Sequence, residues 1–332
     1  MPLLKFQQRT YDCTPEETVL DCLTREGTPV PSSCRSGVCQ TCLMRATAGA
    51  PPPVSAQNGL KPTLRAQGYF LACMCRPQAG MEIALAGEDA APHSPAVVVA
   101  KEALNADILR LTLRCLRPFD YQAGQFAHLL RSDGLTRSYS LACLPSADGM
   151  IEFHVRRLPG GAMSAWIHES LGVGDTLDVS GPYGNCFYLP DSPAQGLLLI
   201  GTGSGLAPLW GIVSDALAQG HTGPIRLYHG SWKPEGLYLV DALQRLAAAY
   251  PNFTYVPCVD TDAPPDYRVG RADQVAHTDL PDLKGWRVYL CGHPDMVKSA
   301  RKRAFLAGAS MQEIYADPFV LSPAPNRSAN AA

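Results

Sequence analysis

Apolar positions in the first 86 residues come in short alternating runs, 43–47 and 81–85 among them, the period of a half-buried strand. From Val97 to about Ser180 the same alternation recurs at 97–100, 108–114, 126–130 and 151–155, each run closed by turn residues. That spacing predicts a small antiparallel barrel. The pattern changes at Leu197. Leu197-Leu198-Leu199-Ile200 is continuously apolar, as a strand covered on both faces must be, and a helical apolar stretch follows it through Leu217 to a stop at Gly220. Arg287-Val288-Tyr289-Leu290 predicts another such strand, followed by a helix with a basic end at Lys298, Arg301, Lys302 and Arg303. Strands alternating with helices predict βαβ units and a parallel sheet. Residues 87–95, with their Pro, small and charged side chains, read as a linker. The tail 321–332, rich in Ser, Pro, Ala and Asn, is expected to be disordered. Three domains are therefore expected, over 1–88, 95–192 and 193–320, and no internal repeat joins them.

Composition narrows this picture. The 332 residues are 46% hydrophobic and 17% charged, enough apolar surface for two or three cores. A net charge of −2 points to neither a nucleic acid nor a membrane as partner. No apolar run has the length of a membrane span, and Met1-Pro2-Leu3-Leu4-Lys5 does not read as a secretory signal. Twelve cysteines without such a signal are expected to be reduced thiols in the cytoplasm, not a disulfide framework.

Four of those cysteines change the question from fold to chemistry. Cys34, Cys39 and Cys42 follow a C-x4-C-x2-C spacing, with a distant fourth member in Leu71-Ala72-Cys73-Met74-Cys75-Arg76-Pro77. The spacing is that of a plant-type [2Fe–2S] loop, in which four thiolates hold the irons. Three thiolates on one short loop must curl around an inorganic core, and Gly37 stands where the curl leaves no room for a side chain. Zinc would favour paired knuckles or Cys/His mixtures, and neither a second knuckle nor a histidine pair lies nearby. The plain alternative is a set of buried cysteines acting as small hydrophobes. On spacing alone, Cys75 competes with Cys73 as the fourth ligand.

In the C-terminal half, the apolar strand runs into Gly201-Thr202-Gly203-Ser204-Gly205-Leu206-Ala207-Pro208. Glycines at a strand-to-helix turn let backbone N–H groups approach a pyrophosphate, and Pro208 suits a first helical turn. The second apolar strand ends in Cys291-Gly292-His293-Pro294-Asp295-Met296, so both loops would flank one crevice at the carboxyl ends of a parallel sheet. In the barrel-like region, Arg137-Ser138-Tyr139-Ser140 combines a phosphate-binding fork, an aromatic plane and hydroxyls. Alternation sends Arg137 and Tyr139 to one face and the serines to the other. Arg156-Arg157-Leu158-Pro159-Gly160-Gly161-Ala162-Met163-Ser164 offers a second anion site opening a helix. Taken singly, each of these could be a structural turn or a solvated arginine.

Their order is more telling. Arg-x-Tyr-Ser, Gly-Gly-x-x-Ser, Gly-Pro-Tyr-Gly at 181–184, Gly-Thr-Gly-x-Gly-x-Ala-Pro and Cys-Gly-x-Pro-x-Met together resemble the ferredoxin–NADP+ reductase superfamily. With the cysteine loop placed first, the chain up to its tail resembles the FAD-containing, NAD(P)H-dependent reductase components of bacterial ring-hydroxylating dioxygenases and multicomponent monooxygenases. The resemblance implies a multidomain α+β and α/β fold: a β-grasp ferredoxin domain, an antiparallel β-barrel flavin domain and a parallel α/β nucleotide-binding domain. The ferredoxin-like ending L-x-C-x-x-x-P, counted back from Pro77, implies Cys73 as the fourth cluster ligand. Having the cluster domain first implies FAD over FMN. Residue by residue, the resemblance implies that Arg137, Tyr139 and Ser140 hold the flavin ring and phosphate, and that Gly160, Gly161 and Ser164 hold the FAD pyrophosphate. Gly201, Thr202, Gly203 and Gly205 would line the nucleotide pyrophosphate. Cys291, the candidate catalytic residue, and Gly292 would lie near the nicotinamide, and Phe319 near the other flavin face. Gln40 departs from the pattern, standing where many such reductases have glycine.

The implied reaction takes a hydride from a nicotinamide nucleotide into the flavin and passes single electrons through the cluster to an external acceptor. That acceptor would be an oxygenase or its ferredoxin, and a monomer is the expected state. The stretch 228–238, after the second strand, is where a 2′-phosphate would be read, and NADPH would favour an arginine there. Only Lys233 is present, with Glu235 close by, so NADH is expected over NADPH. Two other readings stand beside this one: the same electron chain serving a deoxysugar dehydratase, and an electron-transfer module whose nucleotide site has decayed. The intact flavin and nucleotide motifs weigh against decay.

Overall fold

The computed structural model describes residues 2–87 and 93–320, and its fold divides into two units, Met1–Ala90 and Ala91–Ala332. The first unit is built on strands β1 (Leu3–Phe6), β2 (Arg9–Asp12), β3 (Leu43–Ala48), β4 (Tyr69–Leu71) and β5 (Met81–Leu85), in the order β2-β1-β5-β3-β4. β1 is parallel to β5 and the other neighbours are antiparallel, the mixed sheet of a β-grasp. Alternation turns Leu4, Phe6, Met44, Phe70 and Ile83 into one core, against which helix α1 (Val19–Arg25) packs Val19, Leu20 and Leu23. A seven-residue helix does not persist alone, so its ends are held. Thr18 Oγ1 accepts from Asp21 N at 3.1 Å, and Val19 N and Leu20 N donate to the carbonyls of Cys75 and Ala72 at 2.7 and 3.1 Å. A short helix α2 (Pro62–Ala66) precedes β4.

One expectation is corrected here. Cys13 and Cys22, both fully buried, form a disulfide with Cα atoms 5.6 Å apart, so the thiols are not all free. The packing of α1 over the end of β2 brings the two sulfurs together.

The second unit contains two sheets. β6 (His93–Ala103), β7 (Ile108–Cys115), β8 (Phe126–Leu130), β9 (Thr136–Ser140), β10 (Met150–Arg156) and β11 (Thr176–Tyr183) are antiparallel in the order β10-β7-β6-β11-β8-β9, with helix α3 (Ala162–Glu169) between β10 and β11. A bridge between Leu141 and Phe153 returns the β9 edge to β10 and closes the barrel. Leu111, Leu113, Leu129, Phe153, Val155 and Val179 fill it. β6 starts earlier than its apolar run suggests. His93, Ser94 and Pro95, expected in the linker, pair with Ser180, Val179 and Asp178, and the buried Ser94 hydroxyl accepts from Arg117 N at 3.1 Å. Residues 88–92 of that linker and the tail 321–332 lie outside the described residues.

The other sheet is parallel, ordered β15-β14-β13-β12-β16-β17. Along the chain it runs β12 (Leu197–Thr202), α4 (Leu206–Ala218), β13 (Ile225–Ser231), α5 (Val240–Ala249), β14 (Phe253–Val259), β15 (Arg268–Val269), α6 (Ala272–Asp279), β16 (Arg287–Gly292), α7 (Pro294–Leu306) and β17 (Ile314–Pro318). Period two divides β12 between two cores: Leu197 and Leu199 pack with Leu209, Ile212 and Val213 of α4, while Leu198 and Ile200 pack with Met296, Val297 and Ala300 of α7. Arg287 is 2% exposed at the start of β16, held by Glu313 Oε2 at 2.6 Å and Asp191 Oδ1 at 3.0 Å. The strands step outward from β12 to β15 and then return to β16 and β17 on the other side. The carboxyl ends of β12 and β16 are therefore the topological switch point, where such sheets bind their ligands. Among the described residues no helix is long and apolar enough to cross a membrane.

Candidate functional site

In the first unit, the loop between α1 and β3 gathers the cysteines. Backbone N–H groups turn inward: Cys39 N and Ser36 N point at Cys34 Sγ at 3.3 and 3.5 Å, and Cys34 N points at Cys39 Sγ at 3.5 Å. Hydrogen bonds from Ser36 and the amide of Cys39 draw the Cys34 thiol down to about 5, and those from Thr41 lower Cys39 as well. Both therefore favour the thiolate, the form that binds metal. Cys42 and Cys73 are buried with their sulfurs 3.3 Å apart, and burial beside Cys42 pushes the Cys73 thiol up to about 11.

The thiols thus come as two pairs, Cys34 with Cys39 and Cys42 with Cys73. Among the described residues no three metal-ligating side chains converge on the position of one ion. Two pairs of thiols fit a [2Fe–2S] cluster, whose two irons take four thiolates between them. Cys75 is fully buried, and burial pushes its thiol up to about 12, so it stays a core residue. The curl needs left-handed backbone. Gly37 has φ +79, and a Cβ there would lie 3.0 Å from Met74 Cγ. Gln40 takes φ +58 at the position where glycine was the expected residue, and Gln40 Nε2 is tied to the Gly59 carbonyl at 3.1 Å.

In the second unit, the nucleotide loop follows β12. Gly205 and Gly292 form its tightest contact: a Cβ at Gly205 would lie 2.3 Å from the Cys291 carbonyl oxygen, and one at Gly292, where φ is +119, 2.6 Å from the Thr202 carbonyl oxygen. Only two bare backbones can approach this closely. Thr202 Oγ1 accepts from His293 N at 3.1 Å, which joins the two loops across the switch point. Phe319 N donates to the Gly292 carbonyl at 2.8 Å, so Phe319 joins the same group. Cys291 is fully buried, its Sγ 3.8 Å from Cys186 Sγ, and burial keeps its thiol protonated. A thiol raised in this way is a poor nucleophile at neutral pH.

The barrel brings its motif to the same place. Register sets Arg137 and Tyr139 opposite Leu129 and Ala127, and Ser138 opposite His128, whose Nδ1 lies 3.0 Å from Ser138 Oγ. Ser140 ends β9 within electrostatic reach of the Asp317 carboxyl, and Asp317 pairs with Cys291 across β16 and β17. A Cβ at Gly203 would lie 3.4 Å from Nη1 of Arg156, at the end of β10. The flavin-type and nucleotide-type motifs therefore meet at the carboxyl ends of β12 and β16. The third motif is more self-contained. Ser164 Oγ accepts from Leu158 N at 3.1 Å and donates to the Gly161 carbonyl at 3.2 Å, closing the turn that presents Gly160 and Gly161.

Asp317 and the placement of Arg156 were missed from sequence. The only signal was one acidic residue in an apolar late strand, Ile314–Pro318. Burial raises the Asp317 carboxyl from 3.8 to about 6, with Ser140 opposing the shift. A raised carboxyl favours the protonated fold, so the penalty is absent below the ordinary value, grows as pH rises, and is complete above about 6. Asp317→Asn is therefore expected to gain stability over the parent by ~1 kcal/mol more at pH 7.5 than at pH 5, measured by denaturation of the full chain with its cofactors. An equal difference at both pH values would mean an ordinary carboxylate.

Known proteins carry the same three parts in the same order. The family models that match are a 2Fe-2S iron-sulfur cluster binding domain over residues 4–78, an oxidoreductase FAD-binding domain over 95–188 and an oxidoreductase NAD-binding domain over 199–302. The reductase subunit of an aromatic O-demethylase from Amycolatopsis sp. is 35% identical over 324 residues, covering 94% of this chain and 96% of that one. The ferredoxin–NAD(P)+ reductase component of a naphthalene 1,2-dioxygenase system from Pseudomonas putida is 36% identical over 323 residues, covering 96% and 98%. The crystal structure of the Amycolatopsis cytochrome P450 reductase GcoB superposes with a TM-score of 0.67 at 32% identity, over 96% of this chain and 99% of that one. With relatives this similar along nearly its whole length, the chain belongs to the reductase components of oxygenase systems, oxidoreductases that join a ferredoxin domain to FAD- and NAD-binding domains.

Proposed function

We propose that this chain oxidises NADH and delivers the electrons, through FAD and a [2Fe–2S] cluster, to a partner oxygenase or to that oxygenase's ferredoxin in the cytoplasm. The observation that carries the reading is the approach of Arg156, at the end of barrel strand β10, to Gly203 of the glycine turn, because it joins the barrel to the nucleotide crevice. Bound flavin supplies hydride acceptance, and the cluster supplies one-electron transfer. The protein supplies orientation. Arg137, Tyr139 and Ser140 would hold the flavin ring and phosphate, with Gly160, Gly161 and Ser164 at its pyrophosphate. Gly201, Thr202, Gly203 and Gly205 present backbone N–H groups to the nucleotide pyrophosphate at the start of α4, where the helix dipole favours an anion, and Arg156 adds a cation opposite Gly203. Cys291 and Gly292 leave a small, dry wall for the nicotinamide, and Phe319 would cover the other flavin face. Cys34, Cys39, Cys42 and Cys73 hold the cluster. Domains over 1–88, 95–192 and 193–320 would divide these tasks.

The purified chain is expected to contain iron and acid-labile sulfide in equal amounts and to release FAD. It is also expected to reduce cytochrome c with NADH. Release of FMN, or no NADH-dependent reduction, would contradict the reading.

A further inference from the structure

The carboxyl ends of β13 and β14 carry a second group of side chains that none of the motifs includes. Just past β13, Trp232 is 66% exposed, although tryptophan is a residue that folding normally covers. The loop that carries it is held at two points. Thr261 N and Oγ1 donate to the Trp232 carbonyl at 3.3 and 3.4 Å from the segment after β14, and Asn105 Nδ2 donates to the Gly236 carbonyl at 3.3 Å from the turn between β6 and β7. Next to it, Lys233 Nζ lies 3.6 Å from Asp262 Oδ2. Asp262 holds φ +55, a left-handed conformation that aspartate tolerates better than most residues.

The sheet places this group next to the pyrophosphate loop, since β13 is the immediate neighbour of β12. In a doubly wound sheet, the loop after the second strand meets the adenosine ribose, where an acidic residue suits a 2′-hydroxyl and a free cation suits a 2′-phosphate. The cations at this edge are each engaged. Lys233 faces Asp262, Arg268 is gripped by both oxygens of Asp279 at 3.0 Å, and Arg271 Nε is held by the buried Asp273 at 3.1 Å. We propose that Trp232 is the stacking platform for adenine and that Asp262, by neutralising Lys233, is the residue that selects NADH against NADPH. A flat indole suits a purine face and treats both nucleotides alike, so it gives affinity without choice. The choice rests with the ion pair. A 2′-phosphate would bring about two negative charges up to Asp262, while a 2′-hydroxyl would not. The proposal builds on the NADH reading above and adds the residues responsible for it.

The test uses the holoenzyme and compares kcat/KM for NADH and NADPH. Asp262→Asn keeps a side chain that accepts the left-handed backbone and frees Lys233. It is expected to raise the NADPH-to-NADH ratio about tenfold, the worth of one charged hydrogen bond. The gain should shrink as salt is added, and Lys233→Ala in the Asp262→Asn background should abolish it. Trp232→Ala should raise KM for both nucleotides by the same factor of about ten. An unchanged ratio in Asp262→Asn, or a parent protein that prefers NADPH, would overturn the proposal. A parent protein that oxidises neither nucleotide would instead overturn the reading on which it rests.

Discussion

Cys73→Ser is expected to abolish electron exit: NADH-dependent reduction of cytochrome c should fall by ~100-fold or more, while reduction of ferricyanide directly from the flavin persists. The reason is local. Cys73 Sγ sits beside Cys42 Sγ, so its loss strips one of the two thiols from that pair. The loop itself should remain, because backbone carbonyls at Ala72 and Cys75 hold α1 there. Cys75→Ser is the informative control. Its thiol is fully buried in the core and donates only to the Arg76 carbonyl at 3.7 Å, so a shorter, more polar hydroxyl there should cost ~1–3 kcal/mol of stability and leave the cluster in place. Loss of the visible cluster spectrum in Cys75→Ser but not in Cys73→Ser would reverse the ligand assignment.

The second large effect lies at the switch point. Gly292→Ala should slow hydride delivery from NADH by ~100-fold, the scale of an ångström's misplacement at a reacting centre. Its Cβ would press within 2.6 Å of the Thr202 carbonyl oxygen, and φ +119 adds backbone strain. Relief requires β12 and β16 to part, which displaces both the pyrophosphate loop and the wall formed by Cys291. Arg137 and Tyr139 are held on β9 against β8, away from this contact, so FAD content should hold. Anaerobic stopped-flow at saturating NADH checks this, and a rate within a few-fold of the parent's would mean that the close approach is dispensable.

These two sites differ in how much of them the sequence revealed. The cysteine spacing and the glycine turn are local, since neighbours along the chain make the site, and alternation announced the strands that carry them. Continuous apolar residues at 197–200 announced a strand buried on both faces, and both cores claim it. What was hidden depends on contacts between distant segments. Asp317 matters because β17 sets it beside Cys291 and within reach of Ser140, three residues with no local relation. Arg156 faces Gly203 only once the barrel meets the sheet. The Cys13–Cys22 disulfide depends on α1 folding back over β2, and composition argued against it. His93–Pro95 read as linker because Pro and Ser suppress the strand signal, yet pairing with β11 overrides that local preference.

The claim on which everything else depends is the order of electron flow, from nucleotide to flavin to cluster. Rapid anaerobic mixing of the holoenzyme with NADH, followed by absorption, tests it most directly. Flavin absorbance is expected to fall first and cluster absorbance second, and Cys73→Ser to keep the first phase and lose the second. Cluster reduction by NADH in protein stripped of its flavin, at the rate of the intact protein, would contradict it.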